Sequence, residues 1–487
     1  MLVQRPQSAL VTRDPRPRPR PLCSSLLNGL ECYDETCPAS HDPKLIKSRR
    51  CSYGHRCWYL ERGECSKFHT ATERYLAARK MMEIGLSGGF VLNTAQKDGV
   101  TAFGDWYGIR NTEVIASFNC LRGGGLAVPG LPPAFVRPTT PVRFDTRDMH
   151  LRNISPWHAP EAPKFQPLAQ ALRVRRPDMS LLSGFHIVTT AGCLRRLTNF
   201  LDGENHRVGE RTQRLDIEVR EDTVFIGRWE DDARNHMHTG YGKQFEELAT
   251  SYDALLPDLR DTLSSHVAMA YDMGDLKLVV QAEVDAICCK CHTSSKGPWG
   301  APETPSTLPK RRLSSGRFDV LSLDTGNGEG EEEEHYGAVT TAKEGTRILH
   351  TGRQVEPSCC IEIKTRTEKA LHRPSSPDFM AQLYFQRTSK VFLALHRNGC
   401  FSPEEMWQWD AAKAVSKWEA DNQVLLARLV KLLEDVRSRA VEVAEKAGGQ
   451  CRMALVLGRD ASQEGRRDWK ATLYEREGSE SMLPEDL

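Results

Sequence analysis

LKLVVQAEVDAI (276–287) and SCCIEIKTRT (358–367) are the two stretches whose reading decides the fold. The first is the most apolar run in the chain and reads as a central strand buried on both faces. The second reads as another buried strand. Side chains alternate faces along a strand, so Glu283 and Asp285 are expected on one face with Val284 opposite. Glu362 and Lys364 likewise share a face, with Ile363 opposite. Carboxylates inside strands this apolar are costly unless their charge is compensated. Mg²⁺ or Mn²⁺ compensates it, because a hard cation prefers carboxylate oxygens and keeps waters for a reaction. Two such ions can stabilise the attacking water and the leaving oxygen of phosphodiester cleavage. Lys364 can orient that water or neutralise developing phosphate charge. Either acid pair alone also fits a solvated strand edge. A helical segment ahead of them, GYGKQFEE (240–247), adds Glu246 directly after Phe245 and favours the metal reading.

Outward from these stretches the pattern alternates. FHIVTT (185–190) reads as a strand and CLRRLTNFL (193–201) as a helix with an apolar face. RLDIEVR (214–220) and TVFIGRW (223–229) read as a hairpin about Glu221-Asp222. SPDFMAQLYFQRT (376–388) reads as a helix and KVFLALHR (390–397) as a strand. A long charged helix is expected over 402–446, and TERYLAARKMME (72–83) is expected to be helical with Thr72 as its cap. Short strands are expected near 84–92 and 114–118, a Gly/Pro linker over 123–141, and a disordered insertion over 292–355. The fold class is therefore α/β, more closely a mixed α+β arrangement with central mixed β-sheets flanked by helices. The expected divisions are a basic, Pro-rich tail (1–21), a Cys/His region (22–70) and a partly ordered connection (71–154). A nuclease-like domain (155–446) and a partly disordered C-terminal segment (447–487) follow.

The net charge of +1 over 487 residues neither requires nor opposes nucleic acid. No run approaches a membrane-spanning length, so no membrane association is expected. The N-terminus lacks the apolar core of a signal peptide. Without such a signal the 15 cysteines read as thiols or metal ligands in a reducing compartment.

Cys23-x8-Cys32-x4-Cys37-x3-His41 has the order of a CCCH zinc finger. Cys51-x5-Cys57-x7-Cys65-x3-His69 repeats that order with altered spacing. Three thiolates and an imidazole suit a closed tetrahedral Zn²⁺ site, and in so short a stretch the metal supplies the folding free energy. Such fingers commonly hold single-stranded RNA by stacking bases on aromatic rings. Tyr33, Tyr53, Trp58, Tyr59 and Phe68 are candidate platforms.

The order of these motifs resembles the DXO-type decapping exonucleases, especially their divergent fungal members. Gly240–Glu246 is similar to that family's G-Y-K-F-E, Glu283-Val284-Asp285 to its E-h-D, and Glu362-Ile363-Lys364 to its E-h-K. Met380-Ala381-Gln382 and Ala394-Leu395-His396-Arg397 are similar to the helix and strand that follow. The resemblance covers roughly 155–445. It implies a metal-dependent hydrolase that removes incomplete or irregular RNA 5′ caps, such as NAD caps and 5′ triphosphates, and can then degrade RNA 5′→3′. It casts Glu246, Glu283, Asp285 and Glu362 as metal ligands, direct or through water, and Lys364 and Gln382 as residues that position nucleophile and phosphate. The upstream loop departs from the pattern. Ala191 stands where the family carries a phosphate-binding Arg, and Arg195 and Arg196, one helical turn on, are the candidate substitutes. The implied partners are single-stranded RNA 5′ ends and a 5′→3′ exoribonuclease, and the implied location is the nucleus, with the cytoplasm second. Two other readings stay open: a catalytically weakened RNA-binding scaffold, and a metal-dependent DNA nuclease.

Overall fold

Within LKLVVQAE, Leu278 and Val280 face one apolar layer while Val279 faces another, and all three are fully buried. A strand with both faces covered belongs deep in a sheet sandwiched between helices. Each such side chain contributes about 1.5–3 kcal/mol of burial.

The computed structural model describes residues 39, 41–42, 49, 51–53, 57, 65–92, 106–145, 162–202, 213–229, 240–252, 256–287, 338–342, 345–367, 376–459, 469–478, 480–485 and 487. The chain divides into two compact units, Met1–Ile84 and Gly85–Leu487. In the first, helix α1 (Ala71–Met82) is capped by Thr70 rather than Thr72. Thr70 has Glu73 three residues on, which completes a reciprocal capping box.

The second unit holds two sheets. In chain order its strands are β1 (Leu86–Leu92), β2 (Arg110–Leu121), β3 (Leu126–Gly130), β4 (Ala134–Phe135), β5 (Val142–Arg143), β6 (Ile187–Thr190), β7 (Gln213–Arg220) and β8 (Thr223–Arg228). Next come β9 (Thr250–Ser251), β10 (Thr262–Met273), β11 (Leu276–Glu283), β12 (Ala286–Ile287), β13 (Val339–Thr341), β14 (Arg347–Gly352) and β15 (Cys360–Thr367). The last are β16 (Lys390–Arg397), β17 (Cys400–Asp410), β18 (Gln450–Arg459) and β19 (Trp469–Arg476). Its helices are α2 (Gln166–Arg175), α3 (Ala191–Asp202), α4 (Gly242–Leu248), α5 (Pro377–Gln386), α6 (Ala412–Asp421) and α7 (Gln423–Lys446).

The twelve-stranded sheet runs β1-β19-β18-β7-β8-β6-β11-β10-β2-β3-β14-β13, and the seven-stranded sheet β5-β17-β16-β15-β12-β4-β9. Helices α3, α5 and α7 cover one face of the large sheet and α2 the other. β11 is interior as expected, parallel to β6 and antiparallel to β10. The mixed α+β class read from the sequence is the class observed.

Four expectations are corrected. The long helix over 402–446 begins as strand β17, which pairs with β16 from Lys390↔Asp410 to Arg397↔Cys400. Phe401 and Met406 are buried there while their neighbours are partly or fully exposed, a one-sided pattern that suits a strand near the edge of a sheet. The Gly/Pro linker over 123–141 contains β3, whose Leu126, Ala127 and Val128 are buried between β2 and β14. The insertion over 292–355 ends in the β13–β14 hairpin, while its earlier part lies outside the described residues. The C-terminal segment supplies the β18–β19 hairpin, and buried Glu218 accepts the backbone amide of Met482 at 2.8 Å. The sheet-bearing body thus draws strands from both sides of the 155–446 span.

Candidate functional site

The acids meet where one strand leaves the large sheet and enters the small one. β11 ends at Glu283, and after Val284 and Asp285 the chain continues as β12, which pairs with β15 at Ala286↔Ile361. That register lays Asp285 beside Glu362. The Asp285 carboxylate accepts the Ile363 amide at 2.8 Å. Val284 is buried, whereas Glu283 is exposed and Asp285 half-buried. Glu362 and Lys364 do share a face, and their charged atoms are 2.5 Å apart.

Helix α4 brings the fourth acid. Phe245 is fully buried against Phe401 and Phe392, with ring centroids 4.7 and 6.3 Å away, which leaves Glu246 turned to the acids. Tyr241, just before the helix, packs against Gly399, which has a positive φ of 85°. A side chain there would collide with the tyrosine ring. Lys243, one turn ahead of Glu246, approaches it to 3.4 Å.

Helix α5 supplies a polar stripe at i, i+4, i+8 on an otherwise buried helix. Gln382 donates to Glu362 at 2.8 Å. Gln386 donates to the Glu283 carbonyl at 3.4 Å, and Asp378 accepts from Asn199 at 2.6 Å. Arg195, on α3, donates to Gln382 at 3.3 Å and lies 3.5 Å from Asp378. The two candidate arginines therefore part. Arg195 joins the stripe, whereas Arg196 donates to Gln213 of β7.

The electrostatics bind these groups into one set. Burial pushes the Glu246 carboxyl up to about 7; Lys243 opposes the rise and Glu283 and Glu362 add to it. Burial also drives Asp285 well above the carboxylate range, reinforced by Glu362 and Glu246. Burial alone would pull the Lys364 ammonium down, yet Glu362 and Asp285 hold it above its ordinary value. Lys243 is raised against its own burial by Glu246, Glu283 and Asp285. Four carboxyls face one another here, with two ammonium groups as counter-charges. Such crowding suits a hard divalent cation. Among the described residues the acids do not close into a tight chelating set, as the thiol cluster does. Wider spacing fits Mg²⁺ or Mn²⁺, which retain several waters. The sequence reading did not single out Lys243, Asp378 or Gln386. The four-residue spacing of the last two with Gln382, among apolar neighbours, is the signal for them.

In the first unit the amide of Cys51 donates to the Phe68 carbonyl at 2.9 Å, and the Phe68 amide to the Arg49 carbonyl at 2.7 Å. This short ladder folds Cys51 back onto Cys65 and His69. The ligand atoms of Cys51, Cys57, Cys65 and His69 all lie within 4.8 Å of one another, and Cys57 and His69 are buried. Burial raises the Cys51 thiol, and the neighbouring Cys57 and Cys65 add to the rise. Three crowded sulfurs and an imidazole fit a tetrahedral Zn²⁺. Of the other set, Cys23, Cys32 and Cys37 lie outside the described residues, as do the candidate platforms Tyr33, Trp58 and Tyr59, and His41 is exposed.

No helix among the described residues is long and apolar enough to cross a membrane. No curated protein matches the chain. Solved structures similar to it include Rai1 of S. pombe, 12% identical with a TM-score of 0.45 over 80% of this chain and 99% of that one. Rai1 of Candida albicans in complex with pU5-Mn²⁺ is 12% identical, with a TM-score of 0.45 over 80% of this chain and 93% of that one. Dxo1 of K. lactis in complex with manganese is 10% identical, with a TM-score of 0.42 over 81% and 98%. A family model described as "Domain of unknown function (DUF8563)" matches residues 109–487, and the chain belongs to that family.

Proposed function

We propose that the protein is a divalent-metal-dependent hydrolase of RNA 5′ ends, of the decapping-nuclease type, preceded by a zinc-binding region. The observation that carries this reading is the meeting of Glu246, Glu283, Asp285 and Glu362 with Lys364 and Lys243 at the junction of two sheets. The motif order E-x-D, E-x-K and the α5 glutamine supports it. Glu246, Glu283, Asp285 and Glu362 would hold Mg²⁺ or Mn²⁺, directly or through water. When bound, the metal acidifies an attacking water and stabilises the leaving oxygen. Lys364, held 2.5 Å from Glu362, keeps a positive charge beside the scissile phosphate. Gln382 fixes the Glu362 carboxylate, and Arg195 behind it offers a guanidinium to substrate phosphates. Water adds to phosphorus, the bond to the bridging oxygen breaks, and that oxygen leaves with a proton. RNA 5′ ends are the substrate class; a nuclear location and a 5′→3′ exoribonuclease partner belong to the same reading.

Ala191 favours a second reading, a scaffold with weakened catalysis, because the first residue of α3, directly after β6, then carries no phosphate-binding side chain. The test is to incubate purified protein with 5′-triphosphate, NAD-capped, guanosine-capped and monophosphate RNA and with duplex DNA, with Mg²⁺ or Mn²⁺, beside Glu283→Ala/Asp285→Ala. Product from the unaltered protein alone supports the hydrolase. No product from any RNA supports the scaffold, and cleavage of duplex DNA alone supports a DNA nuclease.

A further inference from the structure

Glu73 occupies two structural roles with one oxygen. Its Oε2 accepts the Thr70 backbone amide at 2.8 Å, closing the capping box of α1. The same Oε2 lies 3.5 Å from Nδ1 of His69. His69 is only 3% exposed, and its Nδ1 makes no hydrogen bond of good geometry. Its other nitrogen, Nε2, faces the sulfurs and is 3.2 Å from Cys65 Sγ. The imidazole is therefore oriented with one nitrogen toward the thiol cluster and the other toward a carboxylate.

We propose that Glu73 is the positioning carboxylate of the Cys51/Cys57/Cys65/His69 zinc site, and that through it metal loading is coupled to the start of helix α1. The proposal rests on the zinc reading of that cluster. A zinc-bound histidine carries its proton on the nitrogen away from the metal, and a carboxylate there fixes both tautomer and ring orientation. Glu73 supplies that acceptor from the first turn of the helix. Its shared oxygen is thus held by the helix start on one side and by the metal's ligand on the other. The Glu73 amide in turn donates to Thr70 Oγ1 at 3.1 Å, so the box itself does not need the metal. The metal instead removes the freedom of His69 to turn away from the shared oxygen. Loading should tighten the first helical turn and leave the rest of α1 less affected.

The experiment uses the full chain. Zinc content is measured first, on the unaltered protein and on Cys57→Ser/Cys65→Ser. Zinc affinity is then measured by competition with a chromophoric chelator in Glu73→Ala, Glu73→Gln and Thr70→Ala. Amide hydrogen exchange across 71–82 is followed with and without zinc. The double cysteine variant should hold one zinc fewer per chain. Glu73→Ala should bind about 10–100-fold more weakly, and Glu73→Gln should fall between it and the unaltered protein. Thr70→Ala, which damages the cap but keeps the carboxylate, should stay within about threefold, and zinc removal should speed exchange chiefly in the first turn. Unchanged zinc content in the double cysteine variant would overturn the zinc reading itself. Normal loading with unchanged affinity in Glu73→Ala overturns the role of Glu73 alone. Equal losses in Thr70→Ala and Glu73→Ala do so too, because helix stability would then account for both.

Discussion

Between Cys51 and His69 four donor atoms come from one short segment, and they draw together within 4.8 Å. Glu246, Glu283, Asp285 and Glu362 come from α4, the β11–β12 junction and β15, and stay farther apart. Thiols are weakly polar and tolerate crowding when protonated, so a local loop can gather them before any ion arrives. Carboxylates repel at close range in a dry setting, so they stay apart and borrow lysines as counter-ions. The first cluster is closed by its own ligands and suits a structural ion. The second is not closed by its own ligands, and needs a rigid frame of sheets to hold like charges near one another.

The largest effect should separate the two most cleanly. Cys57→Ser/Cys65→Ser should remove a metal-folding contribution on the order of 10 kcal/mol from the first unit. Limited proteolysis should then cut within 51–69, ahead of α1, while the thermal midpoint of the sheet-bearing unit moves by less than about 2 °C. A large fall in that midpoint would show the two units to be one cooperative body. Next, Glu283→Ala/Asp285→Ala should lower kcat/KM by at least the order of 10³ with zinc content unchanged. Third, Lys364→Met should destabilise the fold by about 3 kcal/mol in urea, since it strands a buried Glu362. Adding Glu362→Gln to that variant should recover more than half of the loss, and no recovery would mean that the lysine matters for packing alone.

The smallest effect is a pH dependence at Glu246. Its proton is held up to about 7 and must leave before a cation binds. Metal affinity at that carboxyl should rise by up to about tenfold per pH unit below 7 and level off above it. In the metal-free protein the raised value works in the opposite direction. Its stabilising contribution is complete below about 4.5 and is lost as pH rises through about 7. A flat affinity profile from pH 5 to 8 would remove Glu246 from the ligand set.

Much of this arrangement was legible from residues alone, for physical reasons. β11 and β15 announce themselves because apolar strands that tolerate acids are rare, and the polarity of Glu362-x-Lys364 carries straight into a 2.5 Å ion pair. The pairing of Glu283 with Asp285 was only half visible. Period two holds within a strand, but β11 stops at Glu283, so the two acids differ in burial. β17 was misread because its burial is one-sided and its charges mimic a solvated helix. β3 was hidden by the glycines ahead of it and by its own Pro129 and Gly130, although Leu126 and Val128 are core residues. The division of labour between Arg195 and Arg196 could not be read, because it depends on α3 meeting α5 across the top of the large sheet.

The junction at Val284-Asp285 has a mechanical consequence. One continuous stretch of chain is the seam between the two sheets, and the acids sit on it like rivet holes. An ion gripped at once by Glu283 or Asp285 and by Glu246 or Glu362 would rivet the layers together. Cation binding should then register beyond the ligands themselves, as slower opening of β4, β9 and β12, the short strands at and beyond that seam in the smaller sheet.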